Sequence, residues 1–210
     1  MQLFISYLFT DPRLFFAVAV IVTFSICTHE FCHAYAALCC GDDTARANGF
    51  LTFNPFRQMG VWSLITFLVF GLAWGRVPVD LRNFRHRWQA ALVAAVGPLC
   101  NLLLAQLFIG LMLIVSRYLD NDFAVGMLFQ GAVINYLMAA INALPLPGLD
   151  GGAILKLYWP TGVWWQRSEF SRGVLFVLIA LLLLYFNVIA EGIGQFARAQ
   201  VIFLAERIYG

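Results

Sequence analysis

Three stretches of this 210-residue chain, residues 14–40, 89–116 and 123–149, hold between them a single Asp, Glu, Lys or Arg, and that residue is Glu30. A membrane-crossing helix needs about 20 mostly apolar residues, and the backbone inside hydrocarbon must satisfy its own hydrogen bonds. Each stretch is therefore read as a transmembrane helix. The rest of the composition agrees, with 62% hydrophobic and 11% charged residues, against about 25% charged in an ordinary soluble domain. A net charge of +2, without any block of like charge, gives no reason to expect nucleic acid as a partner.

Residues 173–190 form a fourth uncharged, leucine-rich span, while 61–75 is short for a full crossing and reads as a re-entrant or broken segment. After Glu191 the apolar pattern is interrupted by Arg198, Glu206 and Arg207, which suits an interfacial or a poorly hydrophobic last helix. Asn48–Pro55 reads NGFLTFNP; its Asn-Gly turn signal and the alternation of Phe50 and Thr52 with Leu51 and Phe53 fit a short strand or hairpin able to pair with a peptide edge, with an ordinary loop at the membrane surface as the alternative. The expected fold is an all-α polytopic membrane protein of about four to six transmembrane or re-entrant helices with a short membrane-associated β-hairpin. Residues 1–210 are expected to form a single domain.

All five cysteines lie in apolar stretches, so free thiols are expected rather than a disulfide framework. No Lys or Arg precedes Arg13 and no cleavage signature follows the first apolar run, so the first span is expected to persist. Basic residues concentrate in cytoplasmic loops. If the first span runs inward, Arg46, Arg57, Arg76, Arg82, Arg85, Arg87, Lys156, Arg167 and Arg172 are cytoplasmic, against Arg13 and Arg117 outside. That orientation is the expected one. Trp159, Trp164 and Trp165, beside a basic loop, read as interfacial anchors.

The lone acid of the first span sits in Thr-His-Glu-Phe-Cys-His, residues 28–33. On a helix His29 and His33 share a face, one turn apart, so both imidazoles reach one cation. Glu30 then points beside the ion, where a carboxylate takes a proton from water that a zinc ion has made acidic. Chance alone would give roughly 0.0008 matches to this pattern in a chain of this composition. Ionisable groups in a membrane helix cost several kcal/mol and mark function.

Zinc needs a third protein ligand. Six residues beyond His33 stands Cys39 and not histidine, and Ala36 stands where the metzincin pattern has glycine. Glu169, Glu191 and Glu206 are remote, while Asp42 and Asp43 follow His33 too closely to fold back. Asp150 is the better candidate. It ends the third apolar run in Asn-Ala-Leu-Pro-Leu-Pro-Gly-Leu-Asp-Gly-Gly, residues 142–152, where two prolines and a glycine break the helix. The alternative for Asp150 is a plain N-cap of the helix through Ile154 and Leu157.

The pieces HEFCHAYAALCCGDDTA (29–45), GFLTFNP (49–55), RVPVDLRNF (76–84), GPLCNLLLA (97–105) and NALPLPGLDGG (142–152) resemble the site-2 protease family of intramembrane zinc metalloproteases. No stretch resembles a PDZ or CBS domain, so the likeness is to the compact, core-only branch. The resemblance implies one zinc per chain, held by His29, His33 and Asp150, with Glu30 as general base. It makes Asn142 and Asn101 candidates for holding substrate or stabilising an oxyanion; interhelical hydrogen bonding is their alternative. Implied partners are the lipid bilayer and a membrane protein whose transmembrane helix is cut, with the active site toward the cytoplasmic leaflet. The competing functions are a metal transporter, which leaves Glu30 without a task, and a non-catalytic membrane scaffold.

Overall fold

The computed structural model describes residues 3–160 and 184–209. Most of the expected span 173–190 lies outside them, as do Trp164, Trp165, Arg167, Glu169 and Arg172. The chain divides into two compact units, Met1–Cys100 and Asn101–Gly210.

In the first unit a 3-10 turn (Phe4–Ser6) and a short helix α1 (Tyr7–Thr10) precede α2 (Pro12–Cys39). The Asp11 side chain accepts from the Leu14 N–H at 3.1 Å, and Pro12 occupies the first turn, where a missing N–H is harmless. There follow α3 (Thr44–Ala47), α4 (Pro55–Gln58), α5 (Gly60–Phe70), a 3-10 turn at Leu81–Asn83 and the first half of α6 (Arg87–Tyr118).

The 11 residues of α5 reach about 16 Å, roughly half the thickness of a hydrocarbon core. Gly71, at φ 79, ends the helix in the left-handed conformation that glycine adopts without strain. Residues 72–80 then run without helix and are pinned back. The Ser63 hydroxyl donates to the Trp74 carbonyl at 2.6 Å and accepts from its N–H at 2.9 Å, and the Arg76 N–H donates to the Gln58 carbonyl at 3.0 Å. Phe4 stacks on Phe15 at 4.9 Å and on Phe67 at 5.3 Å, joining α5 to α2 through the N-terminal turn.

Helix α6 meets α2 along Gln89, Val93, Gly97 and Cys100, spaced four, four and three residues apart and so on one face. Gln89 meets the Cys40 carbonyl near the end of α2, while Val93, Gly97 and Cys100 meet His33, His29 and Cys32 about two turns earlier, so the helices are antiparallel here. Beyond the end of α2, Asp42 is fully buried. Its carboxylate accepts from the Thr44 N–H at 3.1 Å, the Thr44 hydroxyl at 2.5 Å, the Asp80 N–H at 2.8 Å and the Asn83 amide at 2.7 Å. Burial pushes the Asp42 carboxyl up, but these donors outweigh it and hold the pKa below the ordinary value.

The expected hairpin is not present: among the described residues there is no strand. The Asn-Gly pair instead closes a helix end, with Gly49 at φ 74 and the Phe50 N–H donating to the Ala45 carbonyl at 2.9 Å. Asn54 N–H then donates to Thr52 Oγ1 at 3.2 Å and Phe56 N–H to Asn54 Oδ1 at 2.9 Å. Side chains of the segment itself consume donors that a strand would give to a neighbour.

The second unit holds α6 from Asn101 on, α7 (Asp122–Asn142), α8 (Asp150–Tyr158) and α9 (Phe186–Tyr209). Ala105, Ile109, Met112, Leu113, Ala132, Tyr136 and Ala197 form its core. At its edge the Gln106 amide donates to the Tyr136 hydroxyl, that hydroxyl donates to Gln200 Oε1, and the Gln200 amide donates to Gln106 Oε1 at 2.6 Å. This closed ring satisfies three polar side chains from three helices in an apolar surround. The last helix is the least apolar of the four candidate spans among the described residues, as the poorly hydrophobic alternative has it, but it starts earlier than Glu191. It begins at Phe186, so the apolar residues Phe186–Ala190 join it, and Phe186–Ile208 is long and apolar enough to cross a membrane, as are α2, α6 and α7. Arg198 lies over the Phe129 ring at 6.0 Å, a cation–π contact within the unit.

Replacing Asp42 with Asn turns an acceptor into a donor facing donors, and is expected to cost about 2 kcal/mol at pH 7. Because the native pKa is depressed, this stability is present above about pH 4 and is lost as pH falls through the native value. Thermal unfolding in detergent between pH 7 and pH 3 should show the gap between wild type and variant closing on acidification.

Candidate metal centre

His29, Glu30 and His33 occupy one turn of α2 and are all buried. The two imidazole Nε2 atoms stand 2.9 Å apart, with the rings at 81°. His33 Nδ1 lies 2.7 Å from the Val93 carbonyl of α6. A carbonyl only accepts, so Nδ1 carries the hydrogen and Nε2 is the lone-pair nitrogen turned toward His29. Two nitrogens bound at about 2.05 Å by one tetrahedral zinc are about 3.3 Å apart. The pair fits such an ion with a few tenths of an ångström of adjustment.

Two glycines that carried no signal of their own complete this surround. A Cβ on Gly97 would overlap His33 Nε2 and crowd His29 Cε1, so only a residue without a side chain lets the α6 backbone reach the rings. A Cβ on Gly75 would overlap the Glu30 carboxylate. The Ser63 clamp on Trp74 therefore holds the 72–80 segment against the proposed base. The nearest trace in the sequence was the piece GPLCNLLLA that Gly97 opens, which does not reveal the contact, and α6 runs unbroken through Pro98.

In the second unit Asp150 is the first residue of α8; the N-cap is Leu149, so the capping alternative does not describe it. Gly148 turns the chain at φ 92, and a Cβ on Gly151 or Gly152 would collide with the carbonyls of Ala143 and Leu144 or of Leu146. The Leu-Pro-Leu-Pro-Gly loop thus folds directly onto the first turn of α8. A carboxylate at that turn is favoured by the helix dipole.

The two asparagines behave differently. Asn101 is fully buried and donates from Nδ2 to Asn135 Oδ1 at 2.9 Å, with Met138 Sδ at 3.8 Å, the arrangement of an interhelical clasp. Asn142 ends α7 and donates from Nδ2 to the Met138 carbonyl of its own helix at 3.0 Å. The acids set aside as ligands have other work: Asp42 in its clamp, and Asp43 paired with Arg46 at 2.6 Å.

Residues 17–123 match the family model of peptidase family M50. The chain is similar to YwhC of Bacillus subtilis, named a candidate zinc metalloprotease, at 34% identity over 186 residues, 81% of this chain and 80% of that protein. It is also similar to Rip2 of Mycolicibacterium smegmatis at 33% over 141 residues, 63% of this chain and 53% of Rip2, and to Rip2 of Mycobacterium tuberculosis at 29% over 171 residues, 77% of this chain and 63% of Rip2. Both Rip2 proteins carry the same candidate description as YwhC. No solved structure matches.

Gly97→Ala should drive a methyl group into the imidazole pair. The expected result is at least a tenfold loss of affinity for a divalent ion, read by titrating the purified protein with Co2+ and following its visible absorption. Binding as tight as in wild type would mean that the close approach at Gly97 does not shape the centre.

Proposed function

Because the chain belongs to peptidase family M50, we propose that it is a zinc-dependent endopeptidase that hydrolyses peptide bonds in or near the transmembrane segments of other membrane proteins. The observation that carries this reading is the buried turn His29, Glu30, His33 within an apolar helix long enough to span a bilayer. A metalloprotease with four such helices among its described residues is an integral membrane protein, and its reacting groups are embedded with it.

Asp150 is the proposed third ligand beside His29 and His33, in line with the resemblance of residues 142–152, so the two units would serve one catalytic domain. Zinc held there would supply a Lewis acid for the scissile carbonyl and an acidified water at neutral pH. Glu30 accepts a proton from the attacking water and returns it to the leaving amine. The Val93 carbonyl keeps His33 in its ligating tautomer. Asn142 Nδ2 gives one of its two hydrogens to Met138; the other is assigned to the developing oxyanion. Asn101, whose amide already serves Asn135 and Met138, is assigned to holding α6 and α7 in register.

The excess of basic residues in the segment joining α2 to α6 argues that this end of α2, with His33 near it, faces the cytoplasm. A reporter fused at Arg85 should accordingly score as cytoplasmic.

The chemistry is tested with purified protein in vesicles and a single-span substrate. Glu30→Gln should keep its zinc and lose cleavage by 10²–10⁴-fold, whereas Asp150→Ala should lose zinc as well. A Glu30→Gln protein that cuts at the wild-type rate would remove the assigned base, and with it this mechanism.

A further inference from the structure

We propose that Cys32 and Cys100 are an oxidation site, which closes a reversible disulfide between α2 and α6 beside the histidine pair. Both are free, half-buried thiols, and their sulfurs lie 3.0 Å apart. A disulfide spans about 2.05 Å, so the sulfurs need approach by only about 1 Å. The two helices are already held in register on the loop side of this point by the His33 contact to Val93 and the Gln89 contact to Cys40.

The oxidant is a peroxide, small and neutral enough to follow the water that the hydrolytic reading requires. One thiol is oxidised to a sulfenic acid as the O–O bond breaks and water leaves. The second thiol then displaces the sulfenic oxygen as a second water, forming the S–S bond. In sum two thiols give up two electrons and two protons, and one peroxide becomes two waters.

The metal centre would register this bond because both cysteines adjoin it. Cys32 directly precedes His33, and Gly97, three residues before Cys100, is pressed on both imidazoles with no room for a methyl group. A shift of about 1 Å in so tight a contact has no slack to absorb it. The effect on cleavage rests on the protease reading; the bond itself does not.

The test uses the zinc-loaded full chain in detergent, treated with hydrogen peroxide and then denatured, with thiols counted by maleimide and peptides mapped by mass spectrometry. The five thiols of the reduced protein should fall by two, a peptide joining Cys32 to Cys100 should appear, and dithiothreitol should restore the count. Oxidised wild type should release zinc to a chelator at least tenfold faster and cut at least tenfold more slowly, while Cys100→Ser keeps its basal rates and ignores peroxide. An unchanged thiol count, thiol loss without the joined peptide, or a joined peptide with unaltered zinc release would each overturn the proposal. A protein that joins the peptide and releases zinc faster, yet never cuts in either state, supports the site and overturns the protease reading instead.

Discussion

The contact on which the arrangement depends is that of the α6 backbone at Gly97 with the rings of His29 and His33. Two imidazoles and a carboxylate on one turn of an apolar helix are expensive to bury, and they persist only where neighbours supply hydrogen bonds and exclude lipid. Helix α6 does both, through the Val93 carbonyl on His33 Nδ1 and through a surface flat enough at Gly97 to lie on the rings. A further contact of that face, Gln89 to the Cys40 carbonyl, keeps α6 at this height along α2. The clamp at Asp42 acts on the same end of the unit by tying the turn after α2 to the loop before α6.

The helices and the closeness of His29 to His33 were legible because both rest on periodicity. Long uncharged runs can only be helices in hydrocarbon, and a spacing of four on a helix places two histidines on one face whatever surrounds them. The misreadings arose where one local signal serves two purposes. Asn48-Gly49 satisfies a hairpin turn and a helix C-terminus equally, and the choice fell to the bond from Phe50 to Ala45, set by α3, a helix too short to leave a pattern. The start of α9 was misplaced because a single acid, Glu191, was weighed as a boundary, whereas a helix carries an exposed acid without ending. Gly75, Gly97 and the Val93 carbonyl were illegible for another reason. What they contribute is the absence of a side chain or a backbone atom, and tertiary contact alone gives that meaning.

The second unit shows how polar groups are managed where water is scarce. Gln106, Tyr136 and Gln200 satisfy one another in a ring, and Asn101 with Asn135 forms a clasp that continues to the Gly131 carbonyl at 2.8 Å. Gly131 also receives the Phe108 ring, which a Cβ there would displace. Helix register is thereby fixed by hydrogen bonds in the upper part of α7, while its lower end breaks at Asn142. The Pro-Gly loop and the Gly151-Gly152 pair then allow Asp150 to be presented from a helix start, held by close backbone packing rather than by a cap of its own.

Non-helical backbone at membrane depth is tolerated only when it is buried in protein or lines a wet cavity. The 72–80 segment is tied down on both sides of Gly75, at Trp74 by Ser63 and at Arg76 by the Gln58 carbonyl, with α5 too short to extend past it. The result sets a stretch of unwound chain directly against Glu30. A peptide bond inside a helix is closed to attack by its own hydrogen bonds. Under the proposed function, hydrolysis within a bilayer needs a place where backbone of another kind, and water with it, is already stable, and the half-length α5 with its returning segment would provide that place beside Glu30.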